Sequence, residues 1–236
     1  MSAKTTDDLQ ATPREQGFAM PAEWERHEAT WLGWPHHATD WPGKLKAIEW
    51  TYGEIVRKLA PGEIVRLLVD SPAKEKLARG ILKQAGAGLR QVQFLRWPTN
   101  RGWMRDSGPI FVKRPGETAI IHFHFNAWAK YPDWQKDRRV PERAAKHLGK
   151  RLFHAKARSK NFVLEGGAID SNGCGSLLTT EECLLDQKTQ VRNRGLSRQE
   201  VEDALKDYLG VANILWLGHG IAGDDTHGHV DRKSVV

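Results

Sequence analysis

The sequence predicts an α/β fold assembled from repeated units, and two observations carry that prediction. Helix-like and strand-like stretches alternate along almost the whole of the 236-residue chain. One unit also recurs: a helix, a glycine, then a short apolar strand. It reads KLAPGEIVRLLV, QAGAGLRQVQFL, HLGKRLFH and DYLGVANILWL, with strands beginning near residues 63, 90, 150 and 211. Weak self-similarity at such intervals suits an array of supersecondary units better than one doubly wound sheet.

The elements follow in order. EATWLGW (28–34) reads as a strand, and Pro42-Gly43 opens a helix over 44–60 with Leu45, Ile48, Ile55, Val56 and Leu59 at helical spacing. EIVRLLV (63–69) is a strand rich in β-branched residues. Ser71 and Pro72 supply an N-cap and a first-position proline for a helix running to about residue 85. A strand over 90–95 follows, then GPIFVKR and ETAIIHFHF as a hairpin through Pro115-Gly116. Next come a helix over 138–148, strands over 150–155 and 161–165, and a second hairpin, AIDSNGCGSLLTT, turning at Asn172-Gly173. Ser197 and Glu200 form a capping box for a helix over 198–209, and NILWL (213–217) is a strand.

Composition narrows the function. No run of eighteen apolar residues exists, so no membrane span is expected. Residues 1–16 carry acids and no apolar core, which reads as a disordered arm before a single domain over 17–236. Two cysteines make no disulfide framework and point to a reducing cytoplasm. The net charge of +7 is spread over helical faces in place of one basic stripe, so no nucleic-acid partner is expected. The ten tryptophans supply core mass and, at exposed positions, flat walls for cations.

Three segments set charged groups beside glycine in apolar surroundings. In GWMRDSGPIFV, Asp106 either caps the Ser-Gly-Pro turn or offers its oxygens to a cation held on Trp103. In NFVLEGGAI, Glu165 either faces solvent at a strand end or is buried, which is costly if it is unpaired, and the two glycines let another backbone or a ligand come close. In GHGIAGDDTHGHVD, His227, His229 and Asp231 alternate and would share one face of a strand, after Asp224 and Asp225. Acids, histidine and tryptophan together suit a guanidinium, whose planar fork of donors two or three carboxylates can satisfy. Histidine would then protonate departing ammonia, and a thiolate is the natural nucleophile for the guanidinium carbon.

MPAEWERHEATWLGWP, GWMRDSGPIFV, NFVLEGGAI, LLTTEECLL and GDDTHGHVD, in this order over residues 18–231, resemble the agmatine deiminases. These stand with the bacterial-type peptidylarginine deiminases in the guanidine-modifying superfamily. The resemblance implies a five-bladed, pseudo-symmetric α/β propeller of pentein type, with about three blades in this chain. It implies hydrolysis of agmatine to N-carbamoylputrescine and ammonia, a step of putrescine and polyamine synthesis, with no metal or organic cofactor. It implies Asp106 and Asp231 as guanidinium clamps, His229 as general acid/base, and Glu165 as an acid that contacts the guanidinium and sets His229. Trp103 and Asp225 match pocket-lining positions. The only partner implied is the small cationic substrate.

The chain departs from that pattern in two places. Family members carry their nucleophilic cysteine in a Gly-rich segment near the C-terminus, and none is found here. Cys174 falls at a hairpin turn and Cys183 in a structural segment, so no nucleophile is assigned. After GHVD the chain reads RKSVV, as a truncated or frame-shifted product would. The expectation is an incomplete, poorly stable domain that is inactive by itself. The alternatives are an arginine or peptidylarginine deiminase, or a pseudoenzyme that binds guanidinium without turnover. A zinc hydrolase reading of HGHVD is weakened by Arg232, which stands where a further histidine ligand would be needed.

Overall fold

The computed structural model describes residues 11–221 and 223–230, and divides into two compact units. One comprises residues 26–108 and 131–140; the other comprises the segments before 26, 109–130 and from 141 onward.

The first unit is built on a parallel sheet of three strands, β1 (Ala29–Gly33), β2 (Ile64–Leu68) and β3 (Val92–Leu95), in that order. Helix α1 (Leu45–Leu59) links β1 to β2, and α2 (Pro72–Gln84) links β2 to β3. The Ser71 side chain caps α2 by accepting from the Lys74 amide at 3.2 Å, ahead of Pro72. Val65 and Leu67 point from β2 towards Val56, Ala78 and Leu82 of the helices, forming a dry core. Arg66, on the opposite face of β2, is buried yet satisfied: it reaches Glu28 at 2.6 Å and lies over the Trp31 ring. After β3 the unit also carries α3 (Met104–Ser107), a single turn.

The second unit holds two sheets of one topology. In the first, β4 (Ile110–Arg114) pairs antiparallel with β5 (Glu117–His122), and α4 (Val140–Leu148) crosses to β6 (Arg151–His154), parallel to β5. Two short strands follow, β7 (Lys156–Ala157) and β8 (Lys160–Asn161), which pair with each other. In the second sheet, β9 (Asp170–Ser171) pairs antiparallel with β10 (Ser176–Thr180). The single turn α5 (Glu181–Leu184) and helix α6 (Arg198–Leu209) then lead to β11 (Asn213–Leu217), parallel to β10. Val112 and Ile121 of one sheet share a core with Leu177 of the other and with Val201 and Leu205 of α6. Among the described residues β10 is the one strand paired with β11, and Leu215 is 57% exposed.

The recurring helix–glycine–strand unit is therefore real: β2, β3, β6 and β11 each follow a helix. The capping box at Ser197 and Glu200 forms as expected. Three expectations change. The predicted strand over 161–165 is reduced to β8 and one bridge between Val163 and His124, because Asn193 bonds both backbone groups of Val163 at 2.9 Å in place of a strand. Residues 13–17, expected as part of a disordered arm or at its edge, form a turn, and the Arg14 amide donates to the Asp207 carbonyl. Residues 1–10 lie outside the described residues. His227 lies on a bend and His229 on irregular chain, so these side chains share no strand face. Among the described residues no helix is long and apolar enough to cross a membrane.

Gly210 ends α6 in the left-handed region at φ +64°, and a Cβ there would lie 2.1 Å from the Phe18 carbonyl oxygen. Gly149 has φ +60° after α4 and open space around it. Gly149→Ala should cost about 1 kcal/mol, the left-handed strain alone. Gly210→Ala should cost roughly 1–3 kcal/mol more, since the backbone beside it must shift. Urea denaturation of the two variants measures the difference; equal losses would contradict the close packing of the N-terminal turn on α6.

Candidate active site

The densest buried chemistry lies in the second unit, around Glu165. The segment leading to it is pinned by His124, whose amide donates to the Phe162 carbonyl at 2.9 Å and whose carbonyl accepts from Leu164. Beyond it, the Ala168 amide folds back onto the Glu165 carbonyl in a tight turn over Gly166–Ala168. The carboxylate is consequently driven inward and is wholly buried. The solvent-facing alternative for Glu165 is thereby excluded.

Its partner is Arg192, also without exposed side-chain surface, with Nε 3.1 Å from Glu165 Oε1. The rest of that guanidinium is satisfied: Nη1 donates to the Gln190 carbonyl at 2.9 Å, and Nη2 to the Thr226 carbonyl. One fork thus ties together the chain at 165, 190 and 226. His229 lies on the other side of the acid, with Nε2 3.6 Å from Glu165 Oε2 and the ring buried. That separation is just beyond direct hydrogen-bond length, and such contacts tighten when a ligand binds. Burial by itself would raise the Glu165 carboxyl, but the Arg192 guanidinium and the His229 ring outweigh it and hold the group at about 2. At neutral pH the acid is therefore an anion.

The loop carrying His229 is shaped by Asp224. Its Oδ1 accepts from the Thr226 amide at 3.1 Å, and its Oδ2 accepts from the Thr226 hydroxyl at 2.6 Å and the His229 amide at 3.1 Å. Gly228, at φ +92°, presses against α5: a Cβ there would meet Thr180 Oγ1 at 2.9 Å and the Cys183 amide at 3.0 Å. The Thr180 hydroxyl donates to the Gly228 carbonyl and accepts from the Cys183 amide. His227 turns the other way, with Nε2 2.9 Å from Asp186 Oδ2.

The remaining candidates are placed as follows. Asp225 is a surface residue paired with Lys130. Asp231 lies outside the described residues. In the first unit, the Trp103 indole donates to Asp40 at 3.0 Å and packs beside Trp41, while Arg101 bridges Asp40 at 2.6 Å and Asp133 at 2.9 Å. Asp106 is half-buried in α3, just ahead of the turn into β4. Cys174 is exposed at its hairpin turn. Cys183 is buried beside His229 and Glu165, one donor of each lying within 4.8 Å of the others. Burial pushes its thiol up, against the opposing hydrogen bond with His229, so it stays protonated and weakly nucleophilic. This trio has a metal-like donor set, but the Arg192 cation already neutralises its carboxylate. Sequence reasoning missed Arg192; the one available signal was that a buried Glu165 needs a cation.

Residues 19–235 match the profile of the Porphyromonas-type peptidyl-arginine deiminases. The chain belongs to that family. It is 37% identical over 228 residues to an agmatine deiminase of Pseudomonas aeruginosa, covering 94% of this chain and 58% of the relative. It superposes on the agmatine deiminase of Enterococcus faecalis with a TM-score of 0.81 at 31% identity, covering 94% of this chain and 58% of that one. It also superposes on a substrate-bound agmatine deiminase of C. jejuni with a TM-score of 0.76 at 30% identity, covering 91% and 60%. The α/β fold of this chain is thus the one found in solved deiminases of the family, and the chain spans about three fifths of their length.

The pH dependence of stability should carry the signature of Glu165. Its carboxyl ionises near 2 when folded and near the ordinary 4.5 when unfolded. As pH falls, the unfolded chain takes up that proton first, so the contribution is complete above 4.5 and is lost towards 2. Asp137 runs the other way. Burial raises its carboxyl to about 6 despite amide donors from Arg101 and Asn100, so its contribution is present below 3.8 and lost as pH rises through 6. In the double variant Glu165→Gln/Arg192→Met, the acid-side slope should shrink by up to one proton, about 1.4 kcal/mol per pH unit. Urea midpoints between pH 5 and 3 test this, and an unchanged slope would contradict it.

Proposed function

We propose that this chain carries the guanidinium-recognising and proton-transferring part of an agmatine deiminase. The observation that supports the reading best is the buried Glu165 anion with His229 beside it, in a chain of the deiminase family. In this reading Glu165 fixes the His229 ring and contacts the guanidinium. His229 protonates the leaving ammonia and then activates water for release of N-carbamoylputrescine. Asp106 and Asp231 clamp the guanidinium, with Trp103 and Asp225 along the substrate; these four assignments rest on resemblance. The covalent thioether step needs a thiolate, and neither Cys174 nor Cys183 suits that role. The 236 residues by themselves are therefore expected to bind guanidinium without releasing ammonia. The incomplete three-blade form of the pentein propeller belongs to the same proposal. So does a cytoplasmic setting, in keeping with two free cysteines.

A second reading takes arginine or peptidyl-arginine as substrate, favoured by the family description. The two differ only at the far end of the molecule.

Calorimetric titration of the chain with agmatine, arginine and an arginine-containing peptide, with putrescine as the guanidinium-free control, tests both. Agmatine should bind best, putrescine should not bind, and ammonia should not appear. Asp106→Asn should weaken agmatine by about tenfold or more, the loss of a charge-assisted hydrogen bond. Equal binding of putrescine would overturn the guanidinium reading. Ammonia release would show a nucleophile in this chain.

A further inference from the structure

A second group of ligand-type side chains lies in the same unit and shares no residue with the Glu165 cluster. His122 ends β5 and His154 ends β6, and the two are direct partners across the parallel pair. Their rings lie side by side, 5.1 Å between centroids. Glu142, in the first turn of α4, brings Oε1 to 3.5 Å from His122 Nδ1. One donor atom from each residue lies within 4.8 Å of the other two. The crossover helix and both strands it joins thus deliver two imidazoles and a carboxylate to one point.

We propose that His122, Glu142 and His154 form a binding site for a borderline divalent transition metal, of the zinc or cobalt class. Donor bonds of about 2.0–2.2 Å in tetrahedral geometry set neighbouring ligand atoms about 3.4 Å apart. The His122–Glu142 separation of 3.5 Å already meets that edge. His154 is exposed, with its donor within 4.8 Å of the other two, and a rotation of its side chain on metal binding would close the remaining distance. His122 is 11% exposed and anchors the set from the inside, whereas Glu142 at 46% leaves an open side for entry and a fourth position for water. Two imidazoles and one carboxylate select zinc, cobalt, nickel or copper over magnesium or calcium, which prefer all-oxygen shells. The net charge of +7 gives no long-range attraction for a cation, so affinity comes from the three ligand bonds. Bound metal would clamp α4 to the ends of β5 and β6.

The test uses the untagged, chelator-stripped chain titrated with Zn²⁺ by calorimetry and with Co²⁺ by visible absorption. One equivalent should bind, with a tetrahedral cobalt spectrum, and zinc should raise the melting temperature. His122→Gln, Glu142→Gln and His154→Gln should each weaken binding by at least about tenfold, since even a lost outer-shell partner costs ~10–100-fold. His154→Gln is exposed and should fold normally, as its metal-free melt will report. Cys183→Ser should keep the full equivalent. Absence of binding, unchanged affinity in His154→Gln, or loss of the equivalent in Cys183→Ser would each overturn the site.

Discussion

An ion pair taken wholly out of water fixes the geometry of the second unit. Burying a carboxylate and a guanidinium costs several kcal/mol each, and only close pairing with further hydrogen bonds offsets it. Glu165 and Arg192 meet that condition, because Arg192 also donates to the Gln190 and Thr226 carbonyls. Residues 165, 190 and 226 therefore cannot separate without exposing an uncompensated charge. His229 inherits this rigidity, since it follows Thr226 by three residues and Asp224 holds both backbones. The pair also keeps Glu165 anionic at neutral pH, giving the imidazole a permanent negative neighbour.

The surrounding framework explains why such a charge pair is tolerated. Two sheets of the same topology share one apolar core, closed by α6 and by the N-terminal turn over Gly210. Around Glu165 the backbone is irregular, and its polar groups are met by Asn193, His124 and the Thr179 hydroxyl in place of a strand partner. Irregular backbone satisfied by the Asn193 and Thr179 side chains and by the His124 backbone is what allows an acid to point inward here. A regular strand over 161–165 would have made Glu165 one more alternating position.

The legible parts of this protein were those governed by local rules. Helix caps at Ser71 and Ser197, the turn at Asn172-Gly173 and the helix–glycine–strand repeat each follow from neighbours in sequence, and each formed. Glu165 and His229 were legible as chemistry, because an acid before two glycines and a histidine-rich loop are unusual in apolar surroundings. Arg192 was not: QVRNRG carries no periodicity, and its role comes from a partner 27 residues away. The divergence of His227 from His229 was hidden for a related reason. A positive φ of 62° at His227 breaks the alternation that a strand would impose. The cluster of His122, Glu142 and His154 depends on strand register, which spacing alone does not disclose.

The most direct test of this account is a double-mutant cycle on Glu165 and Arg192, read by urea denaturation at pH 7. Glu165→Gln and Arg192→Met each leave one buried group uncompensated and should each cost about 3–5 kcal/mol. The double variant removes both charges and should cost less than either single change, a coupling of the opposite sign to simple addition. Additive losses would show that the two residues do not act as a pair, and the account of the site built on them would fall.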